Sequence, residues 1–283
     1  MKLVRIGEPG RERAAVLGPR NEVFELPELF GDFDSNFWRQ GRLEGLRGLL
    51  DSNQLVDRID EPVRFGPPIT KPEKVICIGL NYRDHATETS ALIPEEPIVF
   101  MKAPNCVIGP NDQILVPKGS SKTDWEVELG VVIGGRARYL ETPDDARAVI
   151  AGYCISHDVS EREFQLERGG QWDKGKCCET FNPLGPWLVT ADEIVDPQNM
   201  SLRLSVNGVL RQNGTTRDMI FGVNYIVWYL SQFMVLEPGD LINTGTPAGV
   251  SLGHDDVPFL SAGDVTELTI DGLGSQRNVI GQA

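Results

Sequence analysis

A mixed α+β fold, rich in short strands, is what this sequence predicts, on three observations. Short apolar runs recur from end to end, most of them bounded by Gly, Pro or Asn. Few stretches carry helical periodicity, and these do not alternate regularly with the strands, which argues against a doubly wound sheet. At 283 residues the chain has length for one large core, or for a core plus a small accessory domain.

Residues 1–70 differ in texture from the rest. Strand candidates Lys2–Ile6, Ala14–Leu17 and Glu22–Leu26 precede a helical stretch around Leu43–Leu55, and Pro62, Pro67, Pro68 and Pro72 then punctuate a connector. This reads as a small N-terminal α+β domain or arm, a packing or subunit-contact element, followed by a second domain over 71–283. There Val75–Ile78 is a buried strand ending in Gly79, and Asn81–Glu88 is a turn leading into a short helix. Ile98–Lys102, Val107–Gly109 and Ile114–Val116 are short strands. Thr142 caps a helix with Pro143 in its first turn, running through Ala146–Ile150. Gly152–Ser156 is a strand that delivers His157 and Asp158, and Ser160–Glu167 is helical. Leu184–Val189 and Leu202–Val206 are strands, with a hairpin turn at Asn207-Gly208. Asn224–Met234 is a helix, Asp240–Thr244 a strand, and Val265–Ile270 the last strand.

A net charge of −14 argues against nucleic-acid binding and against polybasic membrane attachment. Five cysteines show no CxxC spacing, and four of them lie in apolar or mixed runs, which reads as buried free thiols and not as a zinc site. The first residues lack the apolar core of a signal peptide, and no run is long enough to span a bilayer. A cytoplasmic protein is expected.

The chemistry gathers on Trp125-Glu126-Val127-Glu128-Leu129. Residues two apart on a strand share a face, so Glu126 and Glu128 stand with Cα atoms roughly 7 Å apart. Two carboxylates in a segment otherwise built for a core repel each other unless a positive charge sits between them. A divalent cation answers that; an edge strand with two solvated glutamates is the plain alternative. Asp158, at the end of an apolar strand, is the third acid, and three carboxylates with no soft ligand favour Mg²⁺ or Mn²⁺. His157 points the other way and reads as packed. Arg162 and Gln165 fall four and seven residues after Asp158, on its own face if Asp158 opens a helix, where they suit a bound carboxylate. His85-Ala86-Thr87-Glu88 puts a carboxylate within reach of an imidazole on a helix, a pair able to deprotonate water. Lys176 is either a solvated lysine or a charge that offsets a developing enolate. Gly245-Thr246-Pro247-Ala248-Gly249 makes a tight loop able to hold an anionic group.

Taken together and in order, Gly79-Leu80-Asn81-Tyr82 with His85 and Glu88, Asp124-Trp125-Glu126-Val127-Glu128-Leu129, His157-Asp158, Lys176 and Thr244–Gly249 resemble the fumarylacetoacetate hydrolase family over roughly residues 70–283. The resemblance implies a β-roll catalytic domain, usually a homodimer. It matches Glu126, Glu128 and Asp158 to Mg²⁺ or Mn²⁺ ligands, and His85 with Glu88 to a water-activating dyad. It also matches Arg162, Gln165, Lys176 and Thr246 to positions that hold the substrate's carboxylate and oxo groups. Many relatives carry Arg where this chain has Leu80, and the departure favours a substrate with one carboxylate and a neutral tail. The run Ser156–Arg162, with Gln171-Trp172 and Gly175-Lys176, looks most like members acting on 2,4-diketo-3-deoxy-L-fuconate or -rhamnonate.

The resemblance implies a C–C hydrolase releasing pyruvate and a hydroxy acid from a 2,4-diketo acid. Oxaloacetate decarboxylation, or isomerisation of 2-hydroxyhepta-2,4-diene-1,7-dioate, could run on the same site. A non-catalytic relative that only binds metal and small acids stays open, with the His85–Glu88 pair against it.

Overall fold

A computed structural model describes residues 1–283 apart from Asn53, Val56 and Asp255. Its main feature is a 12-stranded sheet. In spatial order its central path is Arg58–Ile59, Val23–Glu25, Arg13–Leu17, Lys2–Ile6, Asn182–Thr190, Ile150–His157, Val127–Ile133, Leu241–Asn243, Val75–Gly79 and Ile98–Lys102. Lys2–Ile6 pairs antiparallel with Asn182–Thr190, so the strands of the N-terminal 66 residues continue the same sheet. A second sheet has five strands: Val209–Thr215, Ser201–Val206, Val265–Ile270, Gly274–Gln282 and Ile114–Val116.

Alternation along Val127–Ile133 explains how the sheets meet. Val127, Leu129, Val131 and Ile133 are fully buried in one core with Leu202, Leu204, Leu268 and Ile270 of the second sheet. Val132, on the other face, joins a separate cluster with Val75, Cys77, Cys154 and Leu241. That second face also carries Glu128. The strand is therefore buried on both sides, and the Glu128 carboxylate on it is almost wholly shielded from solvent.

Register then sets the site. Val127 lies opposite His157, and the N–H of Asp158 donates to the Glu126 carbonyl at 3.0 Å. Leu241–Asn243 flanks Val127–Ile133 on its other side and runs parallel to Val75–Gly79. The segments leaving Leu241–Asn243, Val75–Gly79 and Ile150–His157 thus emerge at one end of the sheet, beside Glu126.

Several local expectations change. Ser160–Glu161 is not helical: it pairs antiparallel with Thr123–Asp124, and helical geometry starts only at Arg162, widening into a π turn over Glu163–Glu167. Buried Glu161 explains this, because its carboxylate takes the hydroxyls of Ser120 and Thr123 and holds the backbone extended. Asp158 therefore opens no helix. Pro143–Val149 is 3₁₀ and not α, with the Thr142 N–H donating to the Asp145 carboxylate at 2.8 Å. Val265–Ile270 is not the last strand, since Gly274–Gln282 returns against it. The helix expected over Leu43–Leu55 is Arg42–Asp51, and Asn53 lies outside the described residues. The Asn207-Gly208 turn is a hairpin with both residues at positive φ, 51° and 76°, joining Ser201–Val206 to Val209–Thr215. No helix among the described residues is long and apolar enough to cross a membrane.

Candidate active site

Glu126, Glu128 and Asp158 converge: one carboxylate oxygen from each lies within 4.8 Å of the others, and all three side chains are buried. Lys176 Nζ bridges two of them, 2.8 Å from Glu126 Oε2 and 2.7 Å from Asp158 Oδ2. Arg162 Nη2 stands 2.7 Å from Glu126 Oε1, and its Nε donates to Asp124 at 2.8 Å. Asp158 Oδ1 takes the ammonium of Lys102.

Glu128 is treated differently. Its carboxylate accepts the N–H of Gly245 at 2.8 Å and, among the described residues, meets no cation within ion-pair distance. Burial and the charges of Asp158 and Glu126 push its carboxyl well above the usual range. Burial also pushes Glu126 up, but Lys176 and Arg162 outweigh it and hold that carboxyl low.

The trio is a set of hard oxygen donors with one member lacking a counter-charge, which fits a Mg²⁺- or Mn²⁺-type cation and suits zinc poorly. Binding such an ion should displace the proton held by Glu128. Affinity should therefore rise with pH from the ordinary carboxylate range up to that group's raised value, with about one proton released per ion. Titration calorimetry with Mn²⁺ in two buffers of different ionisation enthalpy reads this directly, and release of no proton across that window would contradict it.

His85 and Glu88 sit on the helix Arg83–Glu88, with Nδ1 of the imidazole 3.2 Å from Glu88 Oε1. Burial pushes Glu88 up, but the hydrogen bonds from His85 and from the Gly249 N–H hold its carboxyl below the ordinary value. An ionised Glu88 keeps a proton on Nδ1 and leaves Nε2 as the basic nitrogen. His85, Glu88, Glu126, Glu128, Arg162, Gln165, Lys176 and Thr246 all line one cavity of about 430 Å³. Its other walls include Leu80, Ala91, Phe100, Leu166, Trp172 and Leu252.

Each of the nine residues singled out from sequence is thus at this cavity or, for Asp158, bound to residues that line it. Arg162 and Gln165 arrive by a different route from the one expected: the chain leaves the short Ser160–Glu161 strand and turns, and Arg162 Nη1 donates to Gln165 Oε1 at 3.0 Å. Lys176 is no solvated lysine but 2 % exposed. The helix Asp173–Lys176 lies flush on residues 161–165, since a Cβ on Gly175 would stand 2.3 Å from the Glu161 carbonyl oxygen. The Thr246 hydroxyl is already committed, donating to the Val127 carbonyl and accepting from Gln212 Nε2. His157 is fully buried and is pushed down to about 3 by burial and by Lys102, which keeps it neutral and packed. Cys77, Cys106 and Cys154 are buried, whereas Cys177 and Cys178 are half-buried; all five thiols are free.

Sequence reasoning passed over Lys102 and gave Asp124, although part of the Asp124–Leu129 motif, no role of its own. A lysine closing the apolar strand Ile-Val-Phe-Met-Lys was the available signal for the first. Asp124 ties Arg162 to the N–H groups of Ser251 and Leu252 at 2.8 and 3.0 Å, and no local pattern marks it.

Residues 74–281 match the family model described as Fumarylacetoacetate (FAA) hydrolase C-terminal. A Burkholderia cenocepacia protein provisionally named a hydrolase is 49 % identical over 279 residues, covering 98 % of this chain and 97 % of its own. The solved maleylpyruvate hydrolase of Sphingobium sp. SYK-6, in complex with manganese(II) and pyruvate, is 28 % identical with a TM-score of 0.82, over the whole of both chains. The solved 2-hydroxyhepta-2,4-diene-1,7-dioate isomerase of Mycobacterium marinum is 32 % identical with a TM-score of 0.74, covering 100 % of this chain and 98 % of that one.

Proposed function

We propose, from the premise that this chain belongs to the fumarylacetoacetate hydrolase family, that it hydrolyses the C–C bond of a 2,4-diketo acid to pyruvate and a second acid. The observation that carries the reading is the His85–Glu88 pair sharing one cavity with Glu126 and Glu128, two members of the three-carboxylate cluster. A proton acceptor and a cation-holding cluster are the two parts this hydrolysis needs. The manganese and pyruvate bound by the maleylpyruvate hydrolase support the same assignment of ends.

Glu126, Glu128 and Asp158 would hold a divalent cation, which when bound would supply Lewis-acid polarisation at the 2-oxo acid end. Arg162 and Gln165 orient the substrate carboxylate, Arg162 being fixed in turn by Asp124. His85 Nε2 takes a proton from water, and the water oxygen adds to C4. As C3–C4 breaks, His85 returns that proton to C3. The Lys176 ammonium, beside Glu126 and Asp158, offsets negative charge as it grows on the pyruvate half. Burial of Glu126, Glu128, Asp158, Arg162, Gln165 and Lys176 strengthens each of these interactions.

Arg162 and Lys176 are the only Lys or Arg lining the cavity among the described residues, and both are engaged by carboxylates. The remaining wall is mostly apolar. Such a wall supports a substrate with one carboxylate and an uncharged tail, of which 2,4-diketo-3-deoxy-L-fuconate and -rhamnonate are the first candidates to try.

Pyruvate release should be measured with Mg²⁺, with Mn²⁺ and with EDTA, across acylpyruvates, those two sugar acids and oxaloacetate. Metal-dependent release from a diketo acid, with little from oxaloacetate, is the expected result. Release from oxaloacetate alone would replace the hydrolase reading by a decarboxylase. The isomerase neighbour makes 2-hydroxyhepta-2,4-diene-1,7-dioate the remaining substrate to include; its conversion without pyruvate would replace hydrolysis by isomerisation.

A further inference from the structure

Only one oxygen of Glu88 serves His85. The other accepts the N–H of Gly249 at 2.6 Å and meets His254 Nε2 at 2.9 Å. His254 is absent from the cavity wall, and its side chain is 45 % exposed. The segment that carries it is pinned at two points. At its base Asp124 takes the N–H groups of Ser251 and Leu252. Nearer its tip Gly253 lies against the glutamate, where a Cβ would stand 2.3 Å from Glu88 Cγ. His85, Glu88 and His254 therefore form an unbroken line of hydrogen-bonding groups from the cavity to solvent.

Diketo-acid hydrolysis has a proton to dispose of. Water gives its oxygen and one proton to the acyl carbon as a carboxylic acid, and its other proton ends on C3 of pyruvate. The new carboxylic acid then ionises, so one proton leaves for each bond cleaved.

We propose that His254 is a positioning residue for the His85–Glu88 pair and the outlet through which that proton reaches solvent. The inference rests on the hydrolase reading above. The new carboxylic acid gives its proton to His85 Nε2, His85 Nδ1–H passes one to Glu88, Glu88 passes one to His254 Nε2, and His254 Nδ1 releases one to water or buffer, after which both imidazoles return to their starting tautomers.

The test compares full-length, metal-loaded wild type with His254→Ala and His254→Gln, assaying pyruvate release from an acylpyruvate at low buffer and with imidazole added. Gln can keep a hydrogen bond to Glu88 but cannot relay a proton. Both variants should keep the wild-type Tm and KM and lose about tenfold in kcat, less than the 10²–10⁴-fold of a direct acid–base group. Imidazole should restore turnover in the Ala variant. Wild-type turnover by the Gln variant overturns the relay, as does a loss in the Ala variant that imidazole leaves untouched. Wild type that releases no pyruvate from any diketo acid sinks the hydrolase reading, and the relay with it. Active wild type with indifferent variants sinks the relay alone.

Discussion

Replacing His85 by Ala should lower metal-dependent pyruvate release from a 2,4-diketo acid by about 10²–10⁴-fold, while Mn²⁺ affinity and Tm stay near wild type. The imidazole is buried and shares its Nδ1 with Glu88, so Nε2 is the one basic nitrogen aimed into the cavity. The three carboxylates are untouched by the change, which separates loss of the base from loss of the ion. Oxaloacetate provides the contrast: losing CO₂ requires no activated water, so any such side activity should survive. A variant that still cleaves the diketo acid at wild-type rate would remove His85 from the chemistry and leave the carboxylate cluster to act alone.

Lys176→Met should destabilise the metal-free protein by about 3–5 kcal/mol at neutral pH, because it leaves buried carboxylates short of their counter-charge. In the native chain burial pushes Glu126 up, but Lys176 and Arg162 hold its carboxyl below the ordinary range. Such a group contributes stability above its unfolded pKa and loses it as pH falls through the folded one. Removing Lys176 shrinks that contribution, so the gap between variant and wild type should be widest near neutrality and should close in acid. Mn²⁺ should also narrow it, since a divalent ion on the same carboxylates supplies positive charge that the lysine no longer does. Urea unfolding in EDTA and in Mn²⁺, at neutral and acidic pH, measures all of these differences. Equal stability of the two proteins in EDTA at neutral pH would mean that the bridge from Lys176 to Glu126 and Asp158 contributes nothing.

Much of the centre was legible because it depends on short-range periodicity. The two-residue repeat of a strand sets Glu126 beside Glu128, and the helical repeat sets Glu88 under His85. The apolar run before Asp158 marks a strand end, and the structure finds Asp158 there. Where local signals competed, the reading slipped. Ser160–Glu167 carries helix-forming residues, yet buried Glu161 and its hydroxyl partners hold the first two extended. For Lys176 local signals alone left a solvated lysine open, because nothing within its own segment announces the two carboxylates it meets; only the resemblance singled it out.

By itself, then, the sequence determined the strand-rich class, and by its resemblance the family, and it singled out the carboxylate trio and its His–Glu partner. Local spacing carries the Glu126–Glu128 and His85–Glu88 pairs, while Asp158 was read from the end of an apolar strand. Tertiary structure alone decided which charges balance the trio. It brought Lys102 to Asp158 across 56 residues of chain, Asp124 to Arg162 across 38, and His254 to Glu88 across 166. Pairings over such distances are set by strand register and by the close approach of the Gly175 and Gly253 segments, which no local repeat encodes. The same packing buries the cluster: burial and the neighbouring acids push Glu128 up, while Lys176 and Arg162 hold Glu126 low against the burial.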